Sequence, residues 1–181
     1  MLVQASGVSP CLLAAATAGR PVRVGVTDDN EPFRETLTEI LSYEPDIDVV
    51  ASWPNAVEAL AGLDDVQPDI VLLDVDMPFL RGLDAVSLIR AERPAPHVIM
   101  LSMHDDLGYV LHSLQAGASG YVVKDGSAKG IVQAIRDVMA GRLALYPDFE
   151  AIPGLLAGTL NRFVEVSRRP EASAKPASLR I

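Results

Sequence analysis

The run Asp69-Ile70-Val71-Leu72-Leu73-Asp74-Val75-Asp76-Met77-Pro78 decides the fold. Its apolar part is continuous instead of alternating, too short for a helix, and it stops on a pair of carboxylates. A strand buried on both faces reads this way, and such strands belong to parallel sheets covered by helices. The strand is expected over Asp69–Asp74. Four further β-rich runs surround it: Val22–Thr27, Ile47–Ser52, His97–Ser102 and Gly120–Val123.

Helical patterns fill the intervals. Phe33, Leu37, Ile40 and Leu41 mark the first, with Pro32 in its opening turn. Ala56–Leu63 is a short second. Leu83, Val86, Leu88 and Ile89 mark the third, which stops before Pro94. Leu107, Val110, Leu111 and Leu114 mark the fourth, closed by Gly117. Ile131, Val132, Ile135, Val138 and Met139 mark the fifth, with Ser127 as its N-cap and Gly141 beyond its end. Five strand–helix units over residues 21–146 predict an α/β domain, a doubly wound (βα)5 parallel sheet with helices on both faces.

The ends read differently. Residues 1–20 carry one charge, Arg20, and are expected to be a disordered leader, since nothing basic precedes the apolar Leu12–Ala16. Residues 147–181 hold Pro147, Pro153, Pro170 and Pro176 and read as a linker or tail without a second domain. Leu155, Leu156, Leu160, Phe163 and Val164 fit one short helix within it. The chain of 181 residues has a net charge of −9, and residues 21–146 alone carry −11. That balance argues against DNA contact by this chain, which needs a basic face. One cysteine, Cys11, excludes a disulfide framework. No apolar run reaches the roughly 18–20 residues of a membrane span, and a cytoplasmic protein is expected.

In an open α/β sheet the ligand site lies beyond the carboxyl ends of the strands. Those ends read Thr27-Asp28-Asp29, Asp74-Val75-Asp76, Leu101-Ser102 and Val123-Lys124. An Asp after a strand is, taken alone, most often a turn or cap residue. The joint pattern is more specific. Two carboxylates about 5 Å apart repel by roughly 3 kcal/mol at an effective dielectric near 20, so three gathered on one edge call for a cation. Hard oxygen ligands suit Mg²⁺, held by Asp28, Asp29 and Asp74, with Lys124 offsetting the remaining charge. A carboxylate beside Mg²⁺, a Lys and a Ser is equipped to accept a phosphoryl group, with Asp74 as nucleophile.

At these residues the sequence resembles the receiver domain of bacterial two-component response regulators. Gly117-Ala118-Ser119-Gly120-Tyr121 with Lys124-Asp125 is similar to the NarL/LuxR-type subfamily. The resemblance implies a flavodoxin-like sheet of strand order 2-1-3-4-5. It implies that Asp74 accepts a phosphoryl group from a histidine kinase or phosphotransfer protein. Asp29, Asp74 and the backbone carbonyl of Asp76 would bind Mg²⁺ directly, and Asp28 through water. Ser102 and Tyr121 would be the switch pair, Ser102 turning toward the phosphoryl oxygens and Tyr121 following inward. The face of the fourth helix, fifth strand and fifth helix would then change its protein contacts, with a homodimer as one outcome and transcription regulation as the output. The blander reading of Tyr121 is a rim aromatic that never moves.

The sequence departs from the family pattern at Met103, a bulky residue where a small one is usual, and at Asp76, a further carboxylate by the site. Family members of this type continue into a helix-turn-helix domain, whereas only 35 residues follow Tyr146 and no recognition-helix pattern stands in them. Three other readings compete. A receiver that folds but is never phosphorylated would act as an interaction module. Asp74-Val75-Asp76 also resembles the Asp-x-Asp of haloacid-dehalogenase-type phosphatases, but there it ends the first strand. A flavodoxin-like cofactor binder needs a phosphate-holding loop where Asp28-Asp29-Asn30 would repel one. The chain is therefore expected to act as a phosphoacceptor and not as an enzyme.

Overall fold

The computed structural model describes residues 19–92, 96–124 and 127–146. The leader up to residue 18 and the tail from 147, with its expected helix, lie outside the described residues. Six strands and five helices alternate: β1 (Val22–Thr27), α1 (Glu31–Ser42), β2 (Ile47–Trp53), α2 (Ala56–Val66), β3 (Ile70–Asp74), α3 (Gly82–Glu92), β4 (His97–Ser102), α4 (Leu107–Ala116), β5 (Gly120–Val123), α5 (Ala128–Met139) and β6 (Ala144–Tyr146). All strand pairs are parallel, in the order β2-β1-β3-β4-β5-β6.

The sixth strand corrects the expected five-stranded order. It pairs Gly120 with Ala144 and Val122 with Tyr146, covering the outer edge of β5. A strand of three residues is too short to show a pattern in the sequence, and here the pairing is supplied by β5. Three smaller differences are that β2 runs on to Trp53, that α2 runs on to Val66 and that β3 starts at Ile70 instead of Asp69. Asp69 instead caps the sheet edge, accepting from the Arg23 N–H and, through both carboxylate oxygens, from Arg20.

Strand periodicity sorts the core into two layers. Val24, Val26, Ile70, Leu72, Ile99, Leu101 and Val122 face one side, against Leu37 and Leu41 of α1 and Ile131, Ile135 and Val138 of α5. The alternate residues Val71, Leu73, Val98, Met100 and Tyr121 are equally buried and belong to the other side, where α2, α3 and α4 pack in sequence. The N-termini of α1, α2 and α4 are capped by Asn30, Asn55 and Asp106, each side chain accepting from a first-turn N–H. Ser127 stands at the N-cap of α5 as expected, but its side chain makes no capping bond.

Candidate functional site

The same alternation decides which side chains meet. Asp28 lies two residues past Val26, Asp74 two past Leu72, and Lys124 two past Val122, so all three continue the α1/α5 face beyond the strand ends. Ser102 and Tyr121 have the parity of Met100 and continue the opposite face. The register aligns Asp74 with Leu101 and Leu101 with Val122, which brings the three loops level.

On the first face the carboxylate oxygens of Asp28, Asp29 and Asp74 lie within 4.8 Å of one another. Asp28 and Asp74 are buried and Asp29 is exposed. The Lys124 ammonium donates to Asp28 Oδ2 at 2.6 Å and to Asp74 Oδ1 at 2.5 Å. It also sits 4.5 Å above the Phe33 ring, a cation–π contact from the first turns of α1. Burial pushes the Asp74 carboxyl up, against the pull of Lys124 and with the help of Asp28. Burial works against the Lys124 charge, but its bonds to Asp28 and Asp74 prevail and hold the ammonium above its usual range. Three carboxylates against one ammonium leave two negative charges, which a divalent cation balances. The donors are hard oxygens with Asp29 open to solvent, so the set fits Mg²⁺, which Asp28, Asp29 and Asp74 would hold.

The backbone around these acids is tied from several directions. Asp28 Oδ1 accepts from the Asn30 N–H, and the Asp28 N–H donates to the Trp53 carbonyl. Arg34 on α1 donates to the Asp28 carbonyl at 2.7 Å and to Ser52 Oγ at 3.1 Å. Asp74 Oδ2 accepts from the Asp76 N–H at 3.0 Å. Gly82 is a steric requirement: a Cβ there would stand 2.1 Å from the Asp74 carbonyl oxygen. Between them Phe79 has φ +70° and the Leu80 N–H bonds back to the Pro78 carbonyl, a strained γ-turn carrying a 91% exposed aromatic ring.

On the second face Ser102 is fully buried and its Oγ accepts from the His104 N–H at 3.0 Å. Tyr121 is also fully buried, and its hydroxyl donates to the His104 carbonyl at 2.7 Å. The rim reading of Tyr121 is thereby corrected: the ring lies inward, because its strand parity places it with Met100. Burial pushes the Tyr121 hydroxyl up from its ordinary value. Met103 is 71% exposed.

Sequence reasoning brought together Asp28, Asp29, Asp74 and Lys124. It missed Phe33 under Lys124, Arg34 behind Asp28, and His104 between Ser102 and Tyr121. The periodicity marks Phe33 only as a core position of its helix, Arg34 reaches a backbone carbonyl, and His104 holds the pair through its own backbone, contacts that no residue-type pattern displays.

Residues 24–136 match the response regulator receiver domain family, and the chain belongs to that family. It is 36% identical over 130 residues to the transcriptional regulatory protein LnrK of Bacillus subtilis (strain 168), an alignment covering 72% of this chain and 59% of that protein. A two-component response regulator of the LuxR family from Aurantimonas sp. SI85-9A1 superposes with a TM-score of 0.70 at 32% identity, over 76% of this chain and 99% of that one. The signal receiver domain of the putative response regulator NarL from Mycobacterium tuberculosis superposes with a TM-score of 0.64 at 35% identity, over 68% and 99%. The chain thus spans little more than half the length of the first curated relative. Among the described residues no helix is long and apolar enough to cross a membrane.

Proposed function

We propose that this chain is a phosphorylatable receiver that takes a phosphoryl group on Asp74 and changes its protein contacts in response. The observation that carries the reading is the shared ammonium: Lys124 bonds both Asp28 and Asp74 inside a cluster that stays two charges negative. In the transfer, an Asp74 carboxylate oxygen forms a bond to phosphorus as the phosphorus–nitrogen bond of a phosphohistidine donor breaks. The electron pair of that bond leaves on the imidazole, and an acyl phosphate remains on Asp74. Lys124 moves from carboxylate to phosphoryl oxygen, and the Ser102 hydroxyl donates to another. Mg²⁺, when bound, supplies charge neutralisation at the same oxygens.

The donor is a histidine kinase or phosphotransfer protein in the cytoplasm, and the transcriptional regulators among the relatives support transcription regulation as the output. A homodimer through α4, β5 and α5 is one form of that output. The transfer is stoichiometric, which separates this chain from a phosphatase. Intact mass after incubation with a small phosphodonor and Mg²⁺ tests the reading. One added phosphoryl group is expected, absent in Asp74→Asn and in EDTA. An unchanged mass with every donor, or repeated turnover of phosphomonoesters, overturns it.

A further inference from the structure

His104 is engaged through its N–H, its carbonyl and both the edge and the face of its ring, and none of these contacts is to the carboxylates of Asp28, Asp29 or Asp74. Its N–H donates to Ser102 Oγ and its carbonyl accepts from the Tyr121 hydroxyl. Its ring stacks on Tyr109, in the first turn of α4, with centroids 4.3 Å apart and planes 6° from parallel. Its Nε2 donates to Asp76 Oδ2 at 2.9 Å. Asp76 in turn donates its N–H to Asp74 Oδ2. The series Asp74, Asp76, His104, Tyr109 is therefore continuous in space, and the switch pair hangs on its third member.

We infer that His104 is a positioning residue that holds Ser102 and Tyr121 in their inward arrangement and links the Asp74 loop to the start of α4. The two backbone bonds fix the peptide units on either side of His104, so Tyr121 cannot swing out without giving up the His104 carbonyl. Two backbone bonds leave the loop free to move with the pair as a unit. The ring removes that freedom, because it is pinned to the loop after β3 on one side and to α4 on the other. A displacement of the Asp76 peptide on phosphorylation would then reach α4 through the imidazole. The inference rests on Asp74 as phosphoacceptor for this consequence, but not for the holding role in the free protein.

The test compares the wild type with His104→Ala, His104→Phe and His104→Gln, each free and with beryllofluoride plus Mg²⁺. The readouts are amide hydrogen exchange at Gly108 and Tyr109, whose N–H groups bond to Asp106 Oδ1, and the Tyr121 ring resonances. Loss of a partly exposed hydrogen bond and a ring stack should speed exchange roughly fivefold in His104→Ala and shift the Tyr121 signals toward an averaged position. His104→Phe keeps the stack without the donor and His104→Gln a donor without the stack, so each should recover part of the loss. Beryllofluoride should slow exchange at the α4 start in the wild type and do so less in His104→Ala. Wild-type exchange and Tyr121 signals in a folded His104→Ala would overturn the inference. Should Asp74 take no phosphoryl group by intact mass in any variant, the proposed function fails, while the comparison of free proteins still decides the role of His104.

Discussion

Replacing Lys124 by Met keeps most of the side-chain volume and removes the positive charge. Asp28 and Asp74 are then left facing each other while almost wholly out of water. At a separation of 4.8 Å or less, and an effective dielectric near 20, their repulsion is about 3 kcal/mol. The attraction to the ammonium is lost as well, and breaking a buried pair by removing one partner typically costs about 3–5 kcal/mol. The expected loss of unfolding free energy at neutral pH in EDTA is therefore about 3–5 kcal/mol. Removing one of the two acids should reverse much of it, so Lys124→Met/Asp74→Asn should be about 3 kcal/mol more stable than Lys124→Met alone. Saturating Mg²⁺ should also restore stability, by about 2.7 kcal/mol at one hundred times its dissociation constant. Urea unfolding followed by the fluorescence of Trp53, the one tryptophan, reads all three quantities. A loss below about 1 kcal/mol in Lys124→Met, or no recovery in the double variant, would refute the claim that the ammonium neutralises a buried pair.

Two further outcomes follow from particular contacts. Gly82→Ala should cost about 3 kcal/mol by overpacking, since its Cβ would meet the Asp74 carbonyl, and urea melts against a surface Gly→Ala control measure it. Arg136 bonds Glu44 and Asp46, and its hydrogen bond holds the Asp46 carboxyl below its ordinary value. A lowered folded pKa contributes stability above the unfolded carboxylate range that is lost as pH falls through the folded pKa. Arg136→Met should thus cost roughly 1 kcal/mol at pH 7 and converge with the wild type as the pH falls through the lowered folded pKa of Asp46; a deficit that does not shrink on acidification would refute the ionic origin.

The sequence made the sheet legible because β3 and β4 are apolar without interruption, a pattern only burial on both faces produces. It made the acidic cluster legible because the ligand site of an open α/β sheet lies beyond the carboxyl ends of the strands. That rule brings Asp28, Asp29, Asp74 and Lys124 to one edge, and strand parity explains why Asp28, Asp74 and Lys124 share a face there. It failed where contacts run through the backbone. The Asp28 carbonyl under Arg34, and the His104 peptide between Ser102 and Tyr121, are set by loop conformation. The inward place of Tyr121, which the family resemblance implied for the switched state, follows from parity already in the free protein, since it pairs with Met100 on a strand whose alternate residues are all core. Its polar hydroxyl tolerates that burial because it donates to the His104 carbonyl.

The sixth strand alters what a homodimer through α4, β5 and α5 can use. In a five-stranded sheet β5 would present an open row of N–H and C=O groups, a ready template for a second chain. Here that row is engaged by Ala144–Tyr146, and the Tyr146 hydroxyl, bonded to Asp137 Oδ2, fastens the strand to α5. Pairing of copies by strand addition at β5 is closed while β6 stays in place, and the edge beside α5 is that of β6 instead. Tyr121 is buried within β5 and makes its polar bond to the loop before α4. If Asp74 is phosphorylated and Ser102 and Tyr121 respond as proposed, the change would reach the start of α4 and not the sheet edge, so α4 is the element whose position should distinguish the two states.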